Sequence, residues 1–302
     1  MATVLLGSDL SDNAADAARW ALGLCQHLKD LGDVPRLVVT LVVAPEDLSL
    51  QRIVSDRTAD DELDHLHQEL IQWWQALELS GVVEPEFHTH LGGPVAGLVE
   101  AVEAFDASWL VVGQTGRGRI ARFFLGTTAE RLARRPPCHL ALVHPDGFHW
   151  DQAPRALAAI AREDSSDTAM KMAAEIVAHH GGSLRVLHIL ELPRINTALV
   201  DATEMPEALS EHLREHVALL RSDLQALVDG LPDSLDGLIP DIEVRAGYAT
   251  AEILAEQKAL QANLLTLGTR QHSPLDQWLL GSVGLGVLRR APCTVIVAPP
   301  KS

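Results

Sequence analysis

Short apolar runs alternate with amphipathic stretches along the whole chain. In the first half, TVLLGS (3–8), RLVVTLVVA (36–44), SWLVVG (108–113) and HLALV (139–143) are almost unbroken hydrophobic runs, with VEPEFHTHL (83–91) as a fifth, more polar one. Runs without strict polar alternation predict strands covered on both faces, and hence a parallel sheet sandwiched by helices. Between them, the spacing predicts helices over 13–31, 59–79, 95–105 and 127–135. The second half repeats the series with RALAAIA (155–161), SLRVLHIL (183–190), PDIEVRA (240–246), NLLTLGT (263–269) and TVIVA (294–298). Five strands with intervening helices predict a doubly wound α/β domain, here twice over. In such sheets ligands bind beyond the carboxyl ends of the strands, where the strand order reverses.

The repetition extends to single residues. PPCHLALV (136–143) matches APCTVIVA (291–298), which places Cys138 and Cys293 155 residues apart. Gly92 and Gly247, Gly113 and Gly268, and Gly126 and Gly281 share that offset. The first helices, AADAARWALGL and DTAMKMAAEIV, align at a slightly shorter offset, as a change in loop length would produce. Two tandem copies are expected, at 1–145 and 154–302, joined by HPDGFHWDQAP (144–154), whose prolines and glycine punctuate a short linker.

Composition narrows the class. With 302 residues, two domains are the default, and 47% hydrophobic residues supply a core to each. The formal net charge of −17 argues against a nucleic-acid surface, which needs clustered positive charge. It fits a soluble, cytoplasmic protein better than one at a membrane surface. MATVLLGSDLSD lacks a basic region followed by a long apolar stretch, so no secretory signal is expected. No apolar run approaches the ~20 residues that span a bilayer. Three cysteines without short paired spacing indicate neither a disulfide framework nor a zinc knuckle.

The candidate chemistry lies in LVVGQTGRGRIARFFLGTTAERLARRP (110–136). Gly116, Gly118 and Ala121 spell the dinucleotide fingerprint G-x-G-x-x-A. The second copy has Gln271, Ser273 and Asp276 there, and this turn follows the fourth strand instead of the first. Asp146 also lies too far along to serve as the acidic partner. What both copies keep is Gly113/Gly268, Gly126/Gly281 and the hydroxyl pair Thr127/Ser282. Gly113-x2-Gly116-x9-Gly126-Thr127 suits a phosphate cradle: glycines admit a ligand close to backbone, and a helix start offers free N–H groups. The Thr127 hydroxyl either caps that helix or donates to phosphate. The same residues also make an ordinary strand end and helix start, and spacing alone leaves both open.

In this arrangement the chain resembles the universal stress protein family in its tandem form. The resemblance rests on the glycine motif, on LLGSDLSDNAADAARWAL with Asp9 eleven residues before Trp20, on THLGGPVAGLVEAV, and on PPCHLALV as last strand. It implies two sheets of the adenine nucleotide alpha hydrolase-like kind, and ATP as ligand, with or without Mg²⁺. Asp9 would meet the ribose or adenine end, and Val42 would offer backbone groups to adenine. Gly113 would abut the ribose; Gly116, Gly126, Thr127 and Thr128 would surround the phosphates, with Arg117 or Arg119 as reachable cations. The family often has Val at the position of Thr128. In the second copy Ala161 replaces the aspartate and Gln271 the second glycine, so that copy is expected to be degenerate. The resemblance further implies a role in stress response and an intrachain pseudo-dimer through HLALV and TVIVA, and it allows further pairing of two chains; the protein partner is not identified. A nucleotide-free scaffold of the same fold is the alternative.

Other clusters point to structure. His88 and His90, His65 and His67, and His212 and His216 have metal-like spacing without a third ligand, so no metal site is expected from them. Arg131, Arg134, Arg135, Arg289 and Arg290 sit at helix ends, where cations complement the dipole. Cys138 and Cys293 fit buried, apolar strand starts. The chain lacks a Gly-Lys pair, has four lysines in all, and contains no G-x-S-x-G. With neither a Walker lysine nor a nucleophile elbow, hydrolysis is expected to be slow at most.

Overall fold

The computed structural model describes residues 1–46, 59–116, 125–161, 166–191, 207–235, 237–269 and 279–299. The first half runs β1 (Ala2–Ser8), α1 (Asp12–Asp30), β2 (Pro35–Val43), α2 (Ala59–Ala76), β3 (Glu86–Leu91), α3 (Pro94–Ala104), β4 (Ala107–Gly113), α4 (Thr127–Arg134) and β5 (His139–Val143). The second runs β6 (Arg155–Ile160), α5 (Ser166–His180), β7 (Ser183–Glu191), α6 (Glu207–Asp229), β8 (Asp241–Gly247), α7 (Ala249–Leu260), β9 (Leu264–Gly268), α8 (Ser282–Leu288) and β10 (Thr294–Ala298). Each half is a five-stranded parallel sheet, as the apolar runs predict. The two fuse into one ten-stranded sheet in the order β3-β2-β1-β4-β5-β10-β9-β6-β7-β8. The seam is the antiparallel pairing of β5 with β10, where Leu142, Ala141 and Leu140 face Val295, Ile296 and Val297.

Because side chains alternate along each strand, the sheet divides the apolar residues into two layers. Val4, Leu6, Trp109, Val111, Ala141 and Ile296 face one side, where they meet α1, α2, α5 and α6. Leu5, Leu110, Val112, Leu140, Leu142 and Val297 face the other, against α3, α4, α7 and α8. Both layers continue through the seam, so the halves share their cores. Helix α1 illustrates the local logic. Ser11 caps it by accepting from the Ala14 amide, Asp12 opens it and Lys29 stands in its last turn, which matches the helix dipole at both ends. Ala14, Ala17, Ala18, Ala21, Leu24 and Cys25 form its buried stripe at helical spacing.

The linker is part of this core. Phe148 is fully buried, and its amide donates to the Asn263 carbonyl at 2.8 Å. The Trp150 indole donates to the Trp20 carbonyl at 2.8 Å, and its ring lies 5.2 Å from that of Trp20. Gly23, inside α1, makes room for it: a Cβ there would stand 1.9 Å from Trp150 Cδ1. A helix-interior glycine costs about 1 kcal/mol against alanine, and lodging the linker indole offsets that cost. The Gly23→Ala substitution should therefore lower unfolding stability by about 1–3 kcal/mol through overpacking, despite its better helix propensity; urea unfolding curves of the two proteins check this.

Candidate functional site

In the first half the strand order reverses between β1 and β4, which pair directly with Gly7 opposite Val112. Beyond their carboxyl ends lies a cleft of ≈ 520 Å³, within the ~300–1,000 Å³ usual for small-molecule sites. Asp9, Val42, Gly113, Gly116, Gly126, Thr127 and Thr128 all line it, so the structure gathers every site residue named from sequence except Arg117. Arg117 and Arg119 lie outside the described residues.

Each lining residue is set by its element. Asp9 follows β1, and its Oδ1 accepts from the Ser11 amide at 3.1 Å and from the Ser11 hydroxyl. The following residue, Leu10, adopts φ 61, a left-handed conformation that costs a β-carbon-bearing residue about 1–3 kcal/mol. Its amide bonds the Ser8 hydroxyl at 3.0 Å, which fixes the turn. Val42 sits near the end of β2, opposite His90 of β3. Gly113 ends β4 against α1, where an added Cβ would meet the Asn13 carbonyl oxygen at 3.0 Å. At Gly116 an added Cβ would meet only the Asp9 carboxylate, 2.8 Å away. Gly113 thus serves close packing of backbone, whereas Gly116 leaves the turn open in front of Asp9.

Gly126, not Thr127, is the N-cap of α4, with extended backbone at φ −65 and ψ 147. Of the two roles open to the Thr127 hydroxyl, capping does not occur: Thr127 is the first helical residue, and no side-chain hydrogen bond caps the helix. The first-turn amides of α4 have no carbonyl within the helix to bond, and Thr127, Thr128 and Ala129 of that turn line the cleft. Sequence reading missed Asn13, whose side-chain amide bonds the Thr115 hydroxyl, and Thr115, a lining residue between the two glycines.

The second half braces this site. Gln114 is buried and reaches the Leu288 carbonyl with its side-chain amide at 3.3 Å. The Leu280 amide donates to the Arg134 carbonyl at 3.1 Å. Arg289 grips Glu130 of α4, with nitrogen–oxygen distances of 2.6 Å and 3.2 Å. That hydrogen bond, with a smaller contribution from Arg134, holds the Glu130 carboxyl below the usual carboxylate range. Arg289 therefore does more than complement a helix dipole.

A second cleft, of ≈ 320 Å³, occupies the corresponding place in the second half. Ala159 pairs with Leu187 and Leu267 as Gly7 pairs with Thr40 and Val112. This register sets Ala161 at the position of Asp9 and Ile189 at that of Val42. Glu191 also lines this cleft, where the first half has Ala44 at the matching register. Gln271 lies outside the described residues. Gly281, like Gly126, is an N-cap with extended backbone, at φ −65 and ψ 170.

The remaining clusters have local partners. His90 Nε2 lies 3.4 Å from Glu100, His65 Nε2 3.5 Å from Glu69, and His67 Nδ1 3.3 Å from the Thr89 hydroxyl. Burial, with His90 and His67 adding to it, holds His88 below its ordinary pKa. His216 is exposed, and the side chain of His212 lies outside the described residues. Burial pushes the thiols of Cys25, Cys138 and Cys293 up to about 12, so they act as small neutral apolar groups; Cys138 is only partly covered. No helix among the described residues is long and apolar enough to cross a membrane.

An open α/β sheet with a glycine-lined cleft at its switch point defines the doubly wound α/β class. Comparison with known proteins makes it specific. The model of the universal stress protein family matches residues 1–144 and again 154–299, and the chain belongs to that family. A universal stress protein of Mycobacterium tuberculosis is 29% identical over 217 residues, 68% of this chain and 65% of its own length. Another from the same organism is 25% identical over 228 residues, covering 73% of this chain and 74% of its own. The chain spans about two thirds to three quarters of these relatives. The crystal structure of a universal stress protein from Archaeoglobus fulgidus superposes with a TM-score of 0.63, at 21% identity, over 99% of this chain and 98% of that one.

The two glycines should separate in unfolding experiments. Gly113→Ala, pressed against main chain, should lose about 1–2 kcal/mol. Gly116→Ala, which needs only a side-chain carboxylate to turn aside, should lose less than half as much in the same urea titration.

Proposed function

We propose that the chain binds ATP, with or without Mg²⁺, in the cleft of its first half, and acts as a nucleotide-dependent binding or regulatory module in a cytoplasmic stress response. The observation that carries this reading is the open turn at Gly116, between the Asp9 carboxylate and the amino end of α4. Main-chain amides and a positive dipole end favour phosphate there. A carboxylate across the cleft suits the hydroxyls of a ribose, and backbone groups at Val42 suit adenine. Gly113 lies against the ribose, and Gly116, Gly126, Thr127 and Thr128 surround the phosphates; Arg117, the cation expected from sequence, lies outside the described residues. The sequence has neither a Gly-Lys pair nor a G-x-S-x-G elbow, which supports binding with at most slow hydrolysis.

The second half, by this reading, is a degenerate copy. Ala161 has no side-chain group to offer a ribose, Glu191 sets a charged side chain at the register of Ala44, beyond the Val42 position that suits adenine, and its cleft is the smaller. Its role is to brace α4 and the glycine turn through Gln114, Arg134 and the Arg289–Glu130 pair. A nucleotide-free scaffold is the competing reading, in which the same turn only closes the fold.

Equilibrium binding of ATP to the full chain tests both readings, alongside mass spectrometry of small molecules released from freshly purified protein. One equivalent per chain is expected. Gly116→Asp, which sets a second carboxylate beside Asp9, should weaken binding at least tenfold. Unchanged affinity in that variant would favour the scaffold, and two equivalents would overturn the degenerate second half.

A further inference from the structure

Away from both clefts, three imidazoles from the two halves meet. His27 lies in the last turn of α1, and His179 and His180 are the last residues of α5. The His27 ring is 5.3 Å from that of His179 and 5.4 Å from that of His180, which are 5.0 Å from each other. One ring nitrogen from each residue lies within 4.8 Å of the others. Around a tetrahedral ion with bonds of about 2.0–2.1 Å, nitrogens sit roughly 3.4 Å apart, so a small inward movement completes the geometry.

A second, independent observation also points to a ligand. His27 is only 3% exposed, yet its Nδ1 has no hydrogen-bond partner, and neither has the shielded Nε2 of His180. Buried polar atoms are nearly always satisfied, and two orphans within one cluster of imidazoles mark a place for a shared acceptor of lone pairs. Trp150 walls the cluster, stacked at 5.2 Å on His27 and edge-on at 5.2 Å to His180. His179 is exposed, which provides an entry path. Its Nε2 lies 3.5 Å from the Asp30 carboxylate, itself held by the Gln26 side-chain amide at 2.6 Å. A carboxylate behind an imidazole is the usual outer support of a metal-ligating histidine.

We propose that His27, His179 and His180 bind one divalent transition-metal ion of the zinc class, and so clamp the ends of α1 and α5 together. Imidazole donors select zinc, nickel or copper over magnesium and calcium, which favour oxygen. Burial, with neighbouring His180 and His179 adding to it against Asp30, lowers the His27 pKa to about 4. Burial and His179 lower that of His180. Both shifts favour the neutral rings of His27 and His180, the form whose lone pairs a metal ion needs. Zn²⁺ binding to the folded form alone would stabilise the joined halves by mass action.

The test uses the full chain without added histidines, stripped with chelator and titrated with Zn²⁺ by calorimetry and thermal unfolding, then with Co²⁺ by visible absorption. One tight equivalent, a rise in Tm and the bands of four-coordinate cobalt are expected. The exposed-site variant His179→Ala should bind Zn²⁺ at least tenfold more weakly, and His179→Ala/His180→Ala should lose the rise in Tm. His88→Ala/His90→Ala, at the other histidine pair, should retain both. A parent chain that takes up no Zn²⁺, or a His179→Ala chain that binds as tightly as the parent, would overturn the proposal.

Discussion

Strands β5 and β10 are each the outer strand of a parallel sheet, and an uncovered outer strand presents unpaired amides and carbonyls. Here each satisfies the other. Their antiparallel register, Leu142 to Val295 and Leu140 to Val297, leaves β3 and β8 as the outer strands of the joined sheet. The same pairing makes both apolar layers continuous, buries Phe148 of the linker, and brings α8 against α4 through Arg289 and Glu130. It also brings the ends of α1 and α5 close enough for His27 to touch His179. The cleft, its brace and the histidine cluster all follow from one strand pairing.

That pairing also orients the clefts. Within each half all strands run parallel, and across the seam the direction inverts. The carboxyl ends of the two sets of strands therefore point opposite ways, and the two clefts open at opposite rims of the sheet. Contact between them runs through the packed interface, as in the reach of Gln114 to Leu288, and not through shared solvent.

Much of this architecture could be read from the sequence because it is written in local signals. Apolar runs gave ten strands within three residues of their ends. The shared 155-residue offset of Gly126 and Gly281 marked two true N-caps, and alignment of the first helices found Ala161 at the register of Asp9. The cleft residues were accessible because each follows its own strand or opens its own helix. Spacing alone could not choose between the two roles of the Thr127 hydroxyl, because a threonine beside a glycine is the better capping residue in isolation, whereas in the fold Gly126 takes the extended cap position. What stayed hidden was long-range. Nothing near Gly23 announces an indole 127 positions on, and nothing near Asn13 announces Thr115. The histidine cluster did leave a trace: His27 and His179 are separated by 152 positions, as are Asp9 and Ala161. Equivalent positions near a pseudo-twofold axis meet each other, a signal visible only once the seam is known.

Joining both halves in one chain changes what substitution can do. In a homodimer of single copies, any exchange near the ligand appears in both protomers at once, and association fades with dilution. Here the seam is intramolecular, so it persists at any concentration, and each half is encoded separately. Ala161 and Glu191 can thus accumulate on one side while Asp9 and Gly116 stay intact on the other. A covalent tether between copies is what permits an asymmetric molecule to arise from a symmetric ancestor.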